Sequence, residues 1–151
     1  MKKITKISNR IIRRFRPCYD PSEIGSKESE YLPIREAVEK YRNSVKEKED
    51  IIWLLCRKEF MSDRDIRLFA TWCAREALKL IENPDQRSVD ACNVAERYAN
   101  GYATDEELDA AWAAAWDAAR AARAAARDAA WAAAWDAARA AQIDHLMTYF
   151  P

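Results

Sequence analysis

Fourteen residues, DAAWAAAWDAARAA, fill positions 109–122 and recur without change at 128–141. A tract this rich in Ala has one favourable regular conformation, the α-helix, because Ala gives up no side-chain entropy on entering it. Neither Gly nor Pro interrupts the chain between Gly101 and Pro151. Thr104-Asp105-Glu106-Glu107 has the form of a capping box, with a hydroxyl for the Glu107 amide and a carboxylate that reaches back. The pattern predicts one helix from about 105 to 148, roughly 60 Å long at 1.5 Å per residue. So long a helix needs partners along its length.

Stepping about 100° per residue separates two faces. One is almost all methyl groups and includes Ala115, Ala118, Ala122, Ala126, Ala129 and Ala133. It permits close approach of another helix, from the same chain or from a second copy. The other carries Trp112, Trp116, Arg120, Arg123, Arg127, Trp131, Trp135 and Arg139. In one reading the indoles fill a core and the Arg side chains stack on them one turn away, as at Trp116–Arg120. In the other, Arg120, Arg123 and Arg127 lie within about 60° of one another and bind an anion between Trp116 and Trp131. Arg123 has no acid three or four positions away. A carboxylate from elsewhere in the fold answers that lack equally well.

The rest of the chain reads as helix and loop. Lys2–Arg16 holds seven cations and no acid, with Ile4, Ile7, Ile11 and Phe15 at helical spacing, and is expected to form a basic amphipathic arm over 1–16. The arm either docks its Ile stripe on the body or a partner subunit, or meets an anionic membrane or nucleic acid. Residues 17–151 are expected to form one domain. Pro17 and Pro21 bracket an extended or turned segment, and 22–32 read as loop. Pro33 opens a helix whose apolar face is Ile34, Val38, Tyr41 and Val45. The charged run 46–50 either continues or breaks it. Ile51–Cys56 reads as core. A helix over about 63–82 buries Ile66, Phe69, Cys73, Ala77 and Leu80, and Asn83-Pro84 stops it. Another spans about 86–99, with Val89, Cys92, Ala95 and Ala99 inward, and Asn100-Gly101 ends it. No segment alternates as a strand does, so the fold class is all-α: a small helical bundle with one long Ala-rich C-terminal helix.

Composition narrows the function. Formal net charge is zero, which favours neither nucleic acid nor membrane in bulk. Cys18, Cys56, Cys73, Cys92 and the single His145 have no metal-ligand spacing, so no metal and no cofactor is expected, and the thiols read as reduced and cytoplasmic. The N-terminus lacks the apolar core of a signal peptide. With two Gly in all, no Gly-rich phosphate loop and no nucleophile–base constellation, an enzyme is not expected.

DIRLFATWCAREALKL, RSVDACNVAERYANGYATDEEL and the Ala/Trp/Asp/Arg tract together resemble a family of small phage and bacterial proteins labelled as immunity proteins. The phage branch also carries a PCYDP, here Pro17 to Pro21, and a Trp-containing apolar segment like that around Trp53. The resemblance covers most of 17–148 and implies an all-helical fold with an Ala-rich helix of variable length. It brings no catalytic residues. On this basis the chain is expected to be a self-associating, non-enzymatic protein of a phage or mobile element that binds a host or toxin protein in the host cytoplasm. The alternative is a protein that sequesters a nucleotide immune signal through the Trp/Arg stripe.

Overall fold

The computed structural model describes residues 2–24, 27–123 and 131–151, with side chains for these outside 117–136. Seven helices account for most of the described chain: α1 Asn9–Arg13, α2 Ile34–Tyr41, α3 Glu49–Leu55, α4 Asp63–Lys79, α5 Gln86–Ala99, α6 Asp105–Arg123 and α7 Trp131–Leu146. Two short strands, β1 Lys6–Ile7 and β2 Leu32–Pro33, pair antiparallel with Lys6 opposite Pro33. The molecule is therefore mainly helical, with a two-residue ladder that the sequence pattern does not announce. A pairing this short has no room for alternation.

The chain forms two compact units. One joins Met1–Ser62 to Ala133–Pro151, and the other is Asp63–Ala132. The Ala tract contributes to both. Its helical parts, α6 and α7, flank residues 124–130, which lie outside the described residues. An uninterrupted helix over 105–148 is thus not shown. At the far end α7 stops at Leu146 and tightens into a 3-10 turn over Met147–Tyr149.

In the first unit the core is built from Ile7, Ile12, Ile34, Val38, Leu54, Leu55, Phe60 and Met61, together with Ile143, Leu146, Met147 and Phe150 from the C-terminal end. Arg35 of α2 secures that end. Its Nη2 donates to the carbonyls of Met147 at 2.7 Å and Phe150 at 2.8 Å, and its Nε donates to Phe150 at 3.2 Å. Both lie at the helix terminus, where carbonyls are short of amide donors; Met147 O also accepts from the Phe150 amide at 3.3 Å. Arg42 pairs with Asp144 at 2.6 Å.

The N-terminal segment departs from the expected basic helix over 1–16. Helix is confined to α1, which Ser8 caps. Ile4 instead donates its amide to the Glu59 carbonyl at 2.8 Å. Ile7 and Ile12 are buried, so the segment is packed into its unit as the docking alternative supposes. The buried set is shifted, however: Ile12 replaces Ile11, because β1 consumes two residues at strand pitch before the helix starts. The helix from Pro33 does not continue into the charged run 46–50: α2 ends at Tyr41, and α3 begins within the run at Glu49.

The second unit is α4, α5 and α6, with α5 packed on both neighbours. Asp85 caps α5 by accepting from the Arg87 amide at 2.9 Å, and its carboxyl is lowered to about 2 by the side-chain and backbone donors of Arg87. Gly101 ends α5 at φ 79°. Gly101 N–H donates to Tyr98 O at 3.0 Å and Tyr102 N–H to Arg97 O at 2.8 Å, the paired bonds of a Schellman motif. The capping box forms as the sequence predicts: Glu107 N–H donates to Thr104 Oγ1 at 3.2 Å, and Thr104 N–H donates to Glu107 Oε2 at 2.8 Å. The expected stripe of α4 holds only in part. Phe69 is buried and Ile66 and Cys73 are half-buried, but Ala77 and Leu80 are exposed. The helix ends at Lys79, before Leu80.

Candidate functional site

The exposed side of α6 is the most conspicuous surface of the second unit. Leu108, Ala111, Ala114 and Ala115 are half-buried, and α5 is the helix that α6 packs against. Trp112 and Trp116 fall on the remaining arc. They are 67% and 51% exposed and stack on each other with ring centroids 6.0 Å apart and planes 23° apart. One helical turn separates them, so the backbone itself sets the stacking distance. The expectation that these indoles fill a core is overturned at both positions. The reason is that the methyl side of α6, with its lower profile, is the side that reaches α5.

Several contacts fix α6 relative to α5. Tyr98 OH donates to Asp105 Oδ1 at 2.5 Å, and the Asp105 carboxylate raises the pKa of the phenol. Arg97 Nη2 bridges the Tyr102 carbonyl at 3.0 Å and Glu107 at 3.1 Å. The Glu107 carboxyl is held below its usual range, first by the Thr104 amide and then by Arg97. Arg75 ties α4 to α5 through Asn93 at 3.0 Å and Glu96 at 2.7 Å.

Of the anion-binding set, Trp116 is exposed on α6. Arg120 and Arg123 belong to α6 and Trp131 to α7, but their side chains lie outside the described residues, as does Arg127 altogether. Among the interface residues Ala115 is half-buried within its own chain. The side chains of Ala118, Ala122 and Ala133 lie outside the described residues, and so do Ala126 and Ala129 altogether. Arg139 of the tract sits in the first unit, 23% exposed, and donates to Gln142 Oε1 at 2.9 Å with Glu49 at 3.9 Å.

The first unit holds a cavity of about 70 Å³. Ile7, Ile12, Ile34, Val38, Leu54 and Leu55 make it apolar, and Tyr19, Glu30, Tyr41 and Arg42 add polar groups to its lining. Glu30 accepts from Tyr41 OH and from Lys40 at 2.6 Å, and these bonds hold its carboxyl below the usual range. Burial pushes the Tyr19 phenol up to about 12, with the Asp50 carboxylate adding to it. An engineered apolar cavity of about 150 Å³ admits benzene; this one is about half that size and suits an aliphatic side chain better than a planar ligand. Its walls come from segments scattered over residues 7–55, and no local pattern marks them.

The groups present fit no metal: among the described residues no cluster of three His, Cys, Asp or Glu side chains could hold one. None of the four cysteines forms a disulfide; Cys18 is exposed and Cys92 buried. No helix among the described residues is long and apolar enough to cross a membrane. No family model, curated protein or solved structure matches the chain.

Proposed function

We propose that this protein acts by binding rather than by catalysis, and that the Trp112–Trp116 face of α6 is where a partner protein docks. The observation that carries the reading is the pair of exposed, mutually stacked indoles on a helix whose other side is engaged by α5. Trp is the side chain most enriched at the energetic centres of interfaces, because it brings a large area with few rotors to freeze. The resemblance to phage and bacterial immunity proteins supplies the class of partner, a host or toxin protein met in the cytoplasm, with the chain itself self-associating. An Ala tract running as one helix from about 105 to 148 would extend the same stripe and offer its methyl side, beyond Ala115, to a second copy.

The test is affinity capture from a host lysate with wild-type protein and with Trp112→Ser/Trp116→Ser, alongside light-scattering mass of each. The reading expects specific protein captured by the wild type and lost with the double variant. A captured set unchanged by the substitutions removes α6 from the interface.

Indoles with planes only 23° apart also favour a planar ligand as the second reading. A nucleotide signal would extend the stack, with Arg120 and Arg123 supplied by the following turns. A thermal-shift screen with mononucleotides and cyclic oligonucleotides separates the two. A midpoint rise that Trp116→Ser abolishes favours the nucleotide.

A further inference from the structure

We propose that the N-terminal basic segment and the end of α3 together form a binding surface for single-stranded nucleic acid, with Trp53 as the base-stacking group and Arg57 as a phosphate contact. The surface belongs to the first unit and does not depend on α6.

Three observations converge on it. The first is an excess of positive charge. Residues 2–16 and 51–62 contain nine cations against one acid, Glu59. Arg13 is the cation of the segment that is ion-paired among the described residues, to Asp20 at 2.9 Å and Glu28 at 2.8 Å. Lys3 donates to the carbonyls of Lys58 and Met61, both at 2.6 Å, which seats the segment against the end of α3 without neutralising any charge. Lys2, Lys6, Arg10, Arg14 and Arg16 are all exposed.

The second is an arginine held between aromatic rings. The Arg57 guanidinium carbon lies 4.2 Å from the Trp53 ring centroid and 5.3 Å from that of Phe15. Phe15 in turn packs on Phe60 at 5.3 Å. The Nε of Arg57 is buried without a hydrogen-bond partner among the described residues, and the residue as a whole is half-buried. Aromatic faces hold the planar cation in place, so its terminal nitrogens are the donors that a phosphate would meet. Trp53 remains 39% exposed beside it.

The third is strain. Arg16 adopts φ 52°, a left-handed conformation that is unfavourable for an L-residue. The turn keeps Phe15 against Arg57 while leaving Arg14 and Arg16 on either side of it exposed. Glycine would adopt that backbone with less strain.

An anionic membrane would use the same cations but also needs an apolar face to insert. That face is spent here: Ile7 and Ile12 are buried, Ile4 and Ile11 half-buried, and α1 is five residues long. Duplex DNA would use the cations and leave Trp53 idle. Unpaired bases use both.

The experiment is fluorescence anisotropy of the full chain with a labelled oligothymidylate of about a dozen nucleotides, with a duplex of equal length and anionic vesicles as competitors. Binding should weaken steeply with salt, and Trp53→Leu or Arg57→Gln should each weaken it about ten-fold. Arg16→Gly gives the sharpest contrast: it should leave the melting midpoint unchanged or raise it while lowering affinity several-fold, which a structural role for Arg16 cannot produce. Trp112→Ser should have no effect, so that failure here and failure at α6 remain separate. Absence of binding at low salt, equal affinity for duplex, displacement by vesicles in preference to oligonucleotide, or full affinity in both Trp53→Leu and Arg16→Gly would each overturn the proposal.

Discussion

Replacing Arg35 by Met removes the side chain that binds the last two carbonyl acceptors of the first unit, those of Met147 and Phe150. Three bonds from a charged donor reach two main-chain carbonyls, at 2.7, 2.8 and 3.2 Å. A hydrogen bond to a charged group contributes about 1.5–3 kcal/mol net. The three are not independent, and water can reach part of a half-buried site. The loss should therefore be near that of one to two such bonds, about 2–4 kcal/mol. Met fills nearly the same volume, so packing is not the variable. At about 2–4 °C per kcal/mol for a chain of this size, the melting midpoint should drop by roughly 4–16 °C. Hydrogen exchange localises the effect: amides of 143–150 should exchange faster and those of α5 should not. Arg35→Lys should recover little, because an ammonium lacks the planar fork that spans two carbonyls. A midpoint within about 1 °C of wild type, or full rescue by Lys, would refute the idea that this clamp holds the terminus.

Leu55 is 1% exposed and lines the cavity of about 70 Å³, so Leu55→Ala enlarges an existing void and should cost about 3–5 kcal/mol in urea unfolding; a loss under about 1.5 kcal/mol would mean that the walls collapse inward. A Cβ at Gly101 would meet no atom within 4 Å, so Gly101→Ala isolates the dihedral cost of φ 79° and should destabilise by about 1 kcal/mol, with Asn milder; equal stability of Ala and Gly would contradict the left-handed cap. The Tyr19 phenol is raised from 10.0 to about 12. Because the folded state holds the proton more tightly, its stabilising effect is complete below pH 10 and is lost as pH rises toward 12. Alkaline denaturation should thus be later and shallower in Tyr19→Phe over that window, and coincident curves would dismiss the shift.

The elements of the second unit were legible because their signals are local. Asp85, Asn100-Gly101 and Thr104–Glu107 are caps, and a cap is a bond between residues two to five apart. The boundaries of α5 follow from them directly. The same is true of Pro33 ahead of α2 and of its buried face, Ile34 and Val38. Periodicity identifies faces but not which face is covered. In α6 both faces are regular, and only the position of α5 decides that Ala115 is half-buried and Trp112 exposed. Hydrophobicity ranked them the other way, because it scores the side chain and not the clearance between two helices.

The candidate sites divide along the same line. The pairing of Trp53 with Arg57 was available in the sequence, at the i, i+4 spacing used for Trp116 and Arg120, but the apolar run Ile51–Cys56 masks it by reading as core throughout. Phe15, which completes that stack, comes from more than thirty positions away, and no local rule brings the two together. The amino-acid order alone determined where helices start and stop, since propensity, caps and proline act within one or two turns. Tertiary structure alone decided the two-strand ladder of 6–7 with 32–33, the Arg35 clamp on 147 and 150, and the seating of Arg57 against Phe15. Each of these depends on which distant surface arrives to exclude water, and that follows from packing the whole unit rather than from any stretch of it.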